Sequence, residues 1–349
     1  MSLFLDTLAG HDTERVPIWL MRQAGRYLPE YRALKERYDF WQLVRTPDLA
    51  AEVTLQPIRR FALDAAILFQ DIMTPLPAMG VELDFAPGPV IAQPLRSLAA
   101  VAGLHVPHQE EIAPFAGEAI GLVRDATTVP VIGFAGAPLT LATYLVEGGG
   151  SKDFATFRAF LHREPEAAHA LLDKLTETGI AYLRMQIAAG AQAIQLFDSW
   201  AGLHHERAFR EFGLPYVQRT FEALAELGVP RIYLAVGAGH LYSTFDELSC
   251  EAVSVDWRTP LGEVRGRLGG KVVQGNLDPA ALLAPRGRLL DEARQVLDEA
   301  GGGGHIFNLG HGVMPQTDPD NVQALVDFVH AYVHQSDKRE PVRRESVGS

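Results

Sequence analysis

Short runs of consecutive apolar, largely β-branched residues recur along the chain, separated by longer stretches with helical spacing. Eight such runs stand out: Val16–Met21, Ala65–Asp71, Val129–Gly136, Ala191–Ser199, Arg231–Gly237, Ala252–Trp257, Lys271–Asn276 and His305–Gly310. Apolar character without polar alternation marks strands buried on both faces, as in a parallel sheet. Between the runs the period changes. "TPDLAAEVTLQPIRRFA" opens with Thr46 as a cap and Pro47 at the first helical position. Lys152–Gly190 is long enough for two helices divided near Pro165, with Gly190 as the stop. His205–Gly228 reads as a helix pair.

Eight strands alternating with helices predict a (β/α)8 (TIM) barrel; a doubly wound open sheet is the alternative. The strand ends favour the barrel. They read Arg22, Asp71, Gly136, Ser199, Gly237, Trp257, Asn276 and Gly310, with His311 adjacent. In a barrel these C-terminal ends converge on one mouth. No GxGxxG follows the first run, which argues against a dinucleotide fold. Thr74–Ser97 carries a hairpin-like alternation around Pro87–Gly88 and is expected as an insertion after the second strand. Residues 1–335 are expected to form the single barrel domain, and 336–349 a disordered C-terminal tail.

Composition narrows the partners. A length of 349 residues suits one barrel, and a net charge of −12 argues against nucleic acid, which demands a basic face. A small anion is still compatible, because a local arginine cluster dominates at close range. The lone cysteine, Cys250, permits neither an intrachain disulfide nor a thiolate-rich metal site. The least polar stretch, Val129–Val146, is broken by two Gly and two Pro and does not read as a membrane span. The opening residues lack a basic segment followed by an apolar one, so the cytoplasm is the expected compartment. The glycine runs at 148–150 and 301–304 lack the Lys-Ser/Thr of a phosphate loop and read as turns. His204-His205 has no third ligand at metal-binding spacing.

"RQAGRYLPEYR" follows the first run directly and places Arg22 and Arg26 at a strand mouth. Guanidinium grips a carboxylate with two parallel hydrogen bonds; capping of helix ends or pairing with surface acids is the plainer role. Asp71, at the end of "LFQD", is expected to aim its carboxylate into the mouth or else to cap the next loop.

"PIWLMRQAGRYLPEYR", "LQPIRRFALDAAILFQDIMTP", "GFAGAPLTLATYLVEGGGSKDF", "FDSWAG" and "HIFNLGHGVMPQTDP" resemble, in order, the segments of the uroporphyrinogen decarboxylase family. The resemblance runs from about Pro17 to Val326. It implies a cytosolic, homodimeric (β/α)8 enzyme with neither metal nor organic cofactor. Such an enzyme removes the four acetate carboxyls of uroporphyrinogen III and gives coproporphyrinogen III. It also implies a site. Arg22, Gln23, Ala24, Gly25, Arg26, Phe40, Tyr144, Ser199 and His311 would bind substrate. Asp71 would bind it as well and, with Arg22 and Arg26, serve catalysis. A fixed negative charge at Asp71 suits the pyrrole cation that forms when a ring carbon is protonated. His311 is a carboxylate binder or proton mover. Two other readings remain: a non-catalytic tetrapyrrole-binding protein, and a corrinoid-linked methyltransferase of the same barrel, whose zinc site one cysteine cannot supply.

Overall fold

The computed structural model describes residues 2–85 and 88–333. Its strands are β1 (Ala66–Ile67), β2 (Leu83–Phe85), β3 (Pro89–Ile91), β4 (Val131–Gly136), β5 (Ala193–Asp198), β6 (Arg231–Ala235), β7 (Ala252–Ser254), β8 (Val272–Leu277) and β9 (His305–Leu309). Seven of them form a parallel sheet in the order β1-β4-β5-β6-β7-β8-β9. The order never reverses, so the sheet winds in one direction. That excludes the doubly wound alternative, in which the order switches part-way. Every residue of β4, β8 and β9 is buried, as their unbroken apolar runs require.

The first expected strand, Val16–Met21, is reduced to a single parallel bridge between Ile18 and Phe307. It nevertheless lies between the two edges of the sheet. Phe307 N–H donates to Pro17 O at 2.9 Å, and Asp64 N–H donates to Ile18 O at 2.8 Å. The segment thereby completes the ring between β9 and the approach to β1. Two features account for its shortness. Pro17 has no N–H to offer a neighbour, and the Ile18 N–H is taken by a side chain, Asp64 Oδ2, at 2.8 Å. Asp64 also receives both ends of the Arg15 guanidinium, at 2.8 and 2.6 Å.

Polar residues cross the barrel interior below the mouth. Trp19 Nε1 donates to Gln274 Oε1 at 2.9 Å, and Gln274 Nε2 donates to Gln195 Oε1 at 2.8 Å and Ser254 Oγ at 3.0 Å. All four residues are fully buried, so each missing partner would leave a costly orphan. The network ties together the entering segment, β5, β7 and β8.

The helices follow the expected pattern with one difference. Pro47–Arg60 begins at the proline, but the Thr46 side chain makes no capping bond. Pro165 separates Ala155–Arg163 from Pro165–Ala188. Glu206–Phe212 is capped by His205, whose Nδ1 accepts from Ala208 N–H at 3.2 Å, and Leu214–Leu224 follows. Within Thr74–Ser97, β2 and β3 pair antiparallel, with Leu83 opposite Ile91. Pro87 of the expected turn and the expected tail at 336–349 lie outside the described residues. Among the described residues no helix is long and apolar enough to cross a membrane.

Asp64 is the group on which this closure rests. Burial alone would raise its pKa, but the nearby His330 ring, 3.6 Å away, and the bonds from Arg15 and the Ile18 N–H outweigh that and hold it below the usual carboxylate range. The stabilisation is therefore present above the unfolded value, about 3.9, and is lost as pH falls through the depressed folded value. Asp64→Asn should lose about 2–3 kcal/mol at pH 7, read by denaturant unfolding. The gap should close as pH falls below about 4, through the depressed folded value. A gap that stays constant with pH would mean the carboxylate charge is irrelevant.

Candidate active site

The chain turns sharply after Leu20, and the turn delivers Arg22. Arg22 has φ 57°, the left-handed region that a non-glycine residue enters at a cost of about 1–3 kcal/mol. Its neighbours impose this conformation. Met21 N–H donates to Asn308 Oδ1 at 3.0 Å, and Val313 N–H donates to Met21 O at 2.9 Å. Gln23 N–H closes the turn onto Leu20 O at 2.9 Å. The stem of Arg22 lies across Gly312, where an added Cβ would meet Arg22 Cγ at 2.6 Å. A side chain at 312 would displace the guanidinium, which explains the glycine after His311.

Gln23 is fully buried and turned away from the mouth. Its Oε1 accepts from Leu20 N–H at 3.1 Å and its Nε2 donates to Ala65 O at 3.0 Å. The side chain is therefore a strap between the turn and the second strand, and its polar atoms are not offered to a ligand. Ala24, Gly25 and Arg26 contribute differently. Among the described residues their backbone N–H groups have no protein acceptor, which leaves them free to receive an anion.

Arg22 and Arg26 are both exposed, and among the described residues neither guanidinium has a salt bridge or hydrogen bond. Two uncompensated cations four residues apart on a rigid turn form an anion-binding arrangement. Arg26 lies beside Tyr31, while Arg22 lies within electrostatic reach of Asp71, Tyr144 and His311.

The two carboxylate oxygens of Asp71 have different surroundings. Oδ1 accepts from Met73 N–H at 2.9 Å and caps the loop after β1. Oδ2 has no partner among the described residues and keeps an accessible surface. The cap holds the rotamer, and the free oxygen is what a ligand meets. Burial pushes the Asp71 carboxyl above the usual carboxylate range, against the pull of the Met73 N–H and of Arg22.

Around this carboxylate stand two tyrosines. Tyr144, on the helix Pro138–Glu147, is half-buried; burial raises its pKa, and the Asp71 charge raises it further. Tyr182, on Pro165–Ala188, is buried and shifted upward by burial and by Asp71. Nothing in the sequence marked Tyr182, since a tyrosine in mid-helix carries no local signature. Ser199 follows β5, next to Trp200, whose ring meets Tyr144 edge-on at 5.9 Å. This loop is anchored from below. Thr140 Oγ1 donates to Asp198 Oδ1 at 2.6 Å, Tyr233 OH donates to Oδ2 at 2.8 Å, and burial raises the Asp198 pKa to about 6.

His311 emerges from the end of β9. Burial, then the charges of Arg22 and Arg258, push its pKa down to about 4, so it is neutral at physiological pH. Phe40 is half-buried in an aromatic wall, 6.2 Å from Phe69 and 4.9 Å from Phe85 of β2. It is therefore the residue through which the antiparallel pair packs toward the second strand. A separate cleft of about 200 Å³, lined by Trp41, Arg45, Thr74 and Phe115 among others, includes neither Arg22 nor Asp71.

The family model described as "Uroporphyrinogen decarboxylase (URO-D)" matches residues 1–332. The chain belongs to the uroporphyrinogen decarboxylase family. It is 47% identical to the uroporphyrinogen decarboxylase of Geotalea daltonii over 330 residues, 94% of this chain and 97% of the relative. It is 46% identical to that of Geobacter sulfurreducens over 331 residues, 94% and 97% of the two chains. Among solved structures, a methyltransferase from Methanosarcina mazei superposes with a TM-score of 0.80 at 21% identity, covering 95% of this chain and 98% of that one. A B12-independent methionine synthase from Shewanella superposes with a TM-score of 0.56 at 13% identity, covering 91% and 96%. At these identities the two likenesses concern the barrel alone.

A raised carboxyl pKa means the folded state resists the charge. The penalty appears as pH rises above the unfolded value, about 3.9, and is complete above the folded one. Asp71→Asn keeps the cap to Met73 but removes the charge. The variant should therefore melt higher than wild type at pH 7, with the difference vanishing below about pH 4. A variant less stable at pH 7 would show that Asp71 is a structural anion.

Proposed function

We propose that the mouth binds uroporphyrinogen III through its carboxylates and converts its four acetate side chains to methyl groups, giving coproporphyrinogen III. The observation that carries the mechanism is Asp71 Oδ2: unpaired, accessible, and held in place by the other oxygen's bond to Met73. Family membership over residues 1–332 supports the reaction itself.

Each cycle consumes one proton and releases one CO2. A proton adds to a ring α-carbon of the pyrrole, and the ring becomes an iminium cation conjugated to the acetate arm. The bond from the methylene carbon to the carboxylate then breaks, and its electron pair moves into the ring system. CO2 departs. The methylene carbon takes up a proton, the ring carbon loses its own, and a methyl-substituted pyrrole remains. The cation forms only along this path. Asp71 Oδ2, accepting from the pyrrole N–H groups, stabilises it more than the neutral ring, which is the requirement for catalysis. The Arg22 and Arg26 guanidiniums receive carboxylates, with Ala24 and Gly25 N–H groups beside them. Ser199, Tyr144 and a neutral His311 supply hydrogen bonds, and Phe40 offers an apolar face.

The pyrrole is its own electron sink, so the reaction calls for no cofactor. The corrinoid reading also conflicts with chemistry: Cys250, the one thiol in the chain, precedes β7 at the end of the barrel opposite the mouth, and burial raises its pKa to about 12. We further take residues 1–335 as one catalytic domain, acting in the cytoplasm as a homodimer.

Product mass after anaerobic incubation with uroporphyrinogen III tests this directly. Chelator-treated, desalted enzyme should remove four carboxyls. Asp71→Asn should lose about two to three orders of magnitude in kcat with KM little changed. An unconverted substrate, or full activity in the Asn variant, would refute the reaction or the role of Asp71 respectively.

A further inference from the structure

The loop after β7 carries Asp256-Trp257-Arg258, and the three residues form a small device of their own. Asp256 is fully buried. Its Oδ1 accepts from Arg258 N–H at 2.9 Å, and its Oδ2 accepts from Gly237 N–H and from Arg258 Nη1, the latter at 3.1 Å. Asn276 Nδ2 donates to Asp256 O at 3.0 Å and to Thr259 O at 2.8 Å, pinning the loop from β8. The Arg258 guanidinium lies 3.9 Å over the Trp257 ring. The same ring meets His311 edge-to-face at 6.3 Å. The loop is pressed against the end of β9 so closely that a Cβ at Gly310 would come within 2.9 Å of Asp256 C.

These contacts place Arg258 at the same strand-end mouth as His311, on an arm held from three sides. Its side chain is 51% exposed although its counter-ion is fully buried. Among the described residues only Nη1 of the guanidinium has an acceptor; Nε and Nη2 are unused. We propose that Arg258 is a third carboxylate-binding arginine of the site, holding a propionate of the substrate rather than the reacting acetate. This rests on the decarboxylase reading above.

The choice of propionate follows from energetics. A guanidinium bound to the departing carboxylate would stabilise the ground state and oppose loss of CO2. Arg258 is also shared with Asp256 and stacked on Trp257, so it is rigid and partly neutralised. Such a group suits a contact kept throughout the four cycles. Propionates persist from the octacarboxylate substrate to the tetracarboxylate product, whereas acetates disappear.

The test is steady-state kinetics of Arg258→Gln on two substrates: the octacarboxylate and the pentacarboxylate with one acetate left. KM should rise about tenfold on both, with kcat within about twofold. A KM effect confined to the octacarboxylate would place Arg258 on an acetate and overturn the assignment, as would a fall in kcat at unchanged KM. Should removal of the cation beside buried Asp256 unfold the glutamine variant, Arg258→Lys keeps a charge there and loses the planar fork. It should still raise KM on both substrates by about threefold; wild-type KM in a folded lysine variant would overturn the proposal. Wild-type enzyme run in parallel separates the two readings, because its failure to turn over either substrate would sink the decarboxylase assignment and not Arg258 alone.

Discussion

One short segment, Pro17–Gln23, has two tasks that compete for the same atoms. It must complete the ring of strands, and it must end in a turn that projects a guanidinium. A full strand would satisfy the first task and carry Arg22 past the mouth. The structure instead limits pairing to the Ile18–Phe307 bridge and hands the rest to side chains. Asp64 takes the Ile18 N–H, Asn308 takes the Met21 N–H, and Gln23 reaches back to Ala65 O. Each side chain takes up a hydrogen bond that a longer strand would have made in its ladder. The left-handed conformation of Arg22 is tolerated because bonds on both sides of it leave the chain no alternative.

The electrostatics of the mouth follow from that placement. The chain as a whole carries −12, yet among the described residues Arg22 and Arg26 have no counter-ion. The global field repels a polyanion at long range, and the local cations capture it once it is close, where screening by salt matters least. Asp71 works in the opposite sense. It is a carboxylate kept in surroundings that resist its charge, near Arg22 but not paired with it. Such a group is an unused source of stabilisation until a cation develops beside it. In the mechanism we propose, the empty-site cost and the catalytic benefit are the same interaction seen with and without the reacting ring.

Much of this was legible in the sequence because it is local. Apolar runs mark buried parallel strands, and the residues at or just past their ends make up the proposed site: Arg22, Asp71, Ser199 and His311 all fall there. What escaped is non-local. The shortening of the first strand depends on the Asp64 side chain, which lies 46 residues away from Ile18. Gln23 sits inside the binding motif, but its direction is set by Ala65 O and not by its neighbours in sequence. Tyr182 reaches Asp71 from mid-helix, and Arg258 joins the mouth through Trp257 and the glycine-permitted contact at β9. For Asp71 the choice between loop cap and ligand group could not be made from sequence, because its two oxygens divide the roles.

The claim that the turn exists to hold Arg22 can be measured by a double-mutant cycle. Asn308 touches the turn at Met21 N–H and, if it acts on catalysis only through Arg22, the two residues are one unit. The cycle compares kcat/KM for Arg22→Ala, Asn308→Ala and the pair, each checked for native melting. The structure predicts that Asn308→Ala lowers kcat/KM in the wild-type background and has almost no further effect once Arg22 is alanine, a coupling of about 1–3 kcal/mol. Losses that simply add would contradict it, and would make Asn308 a structural residue with no part in positioning the arginine.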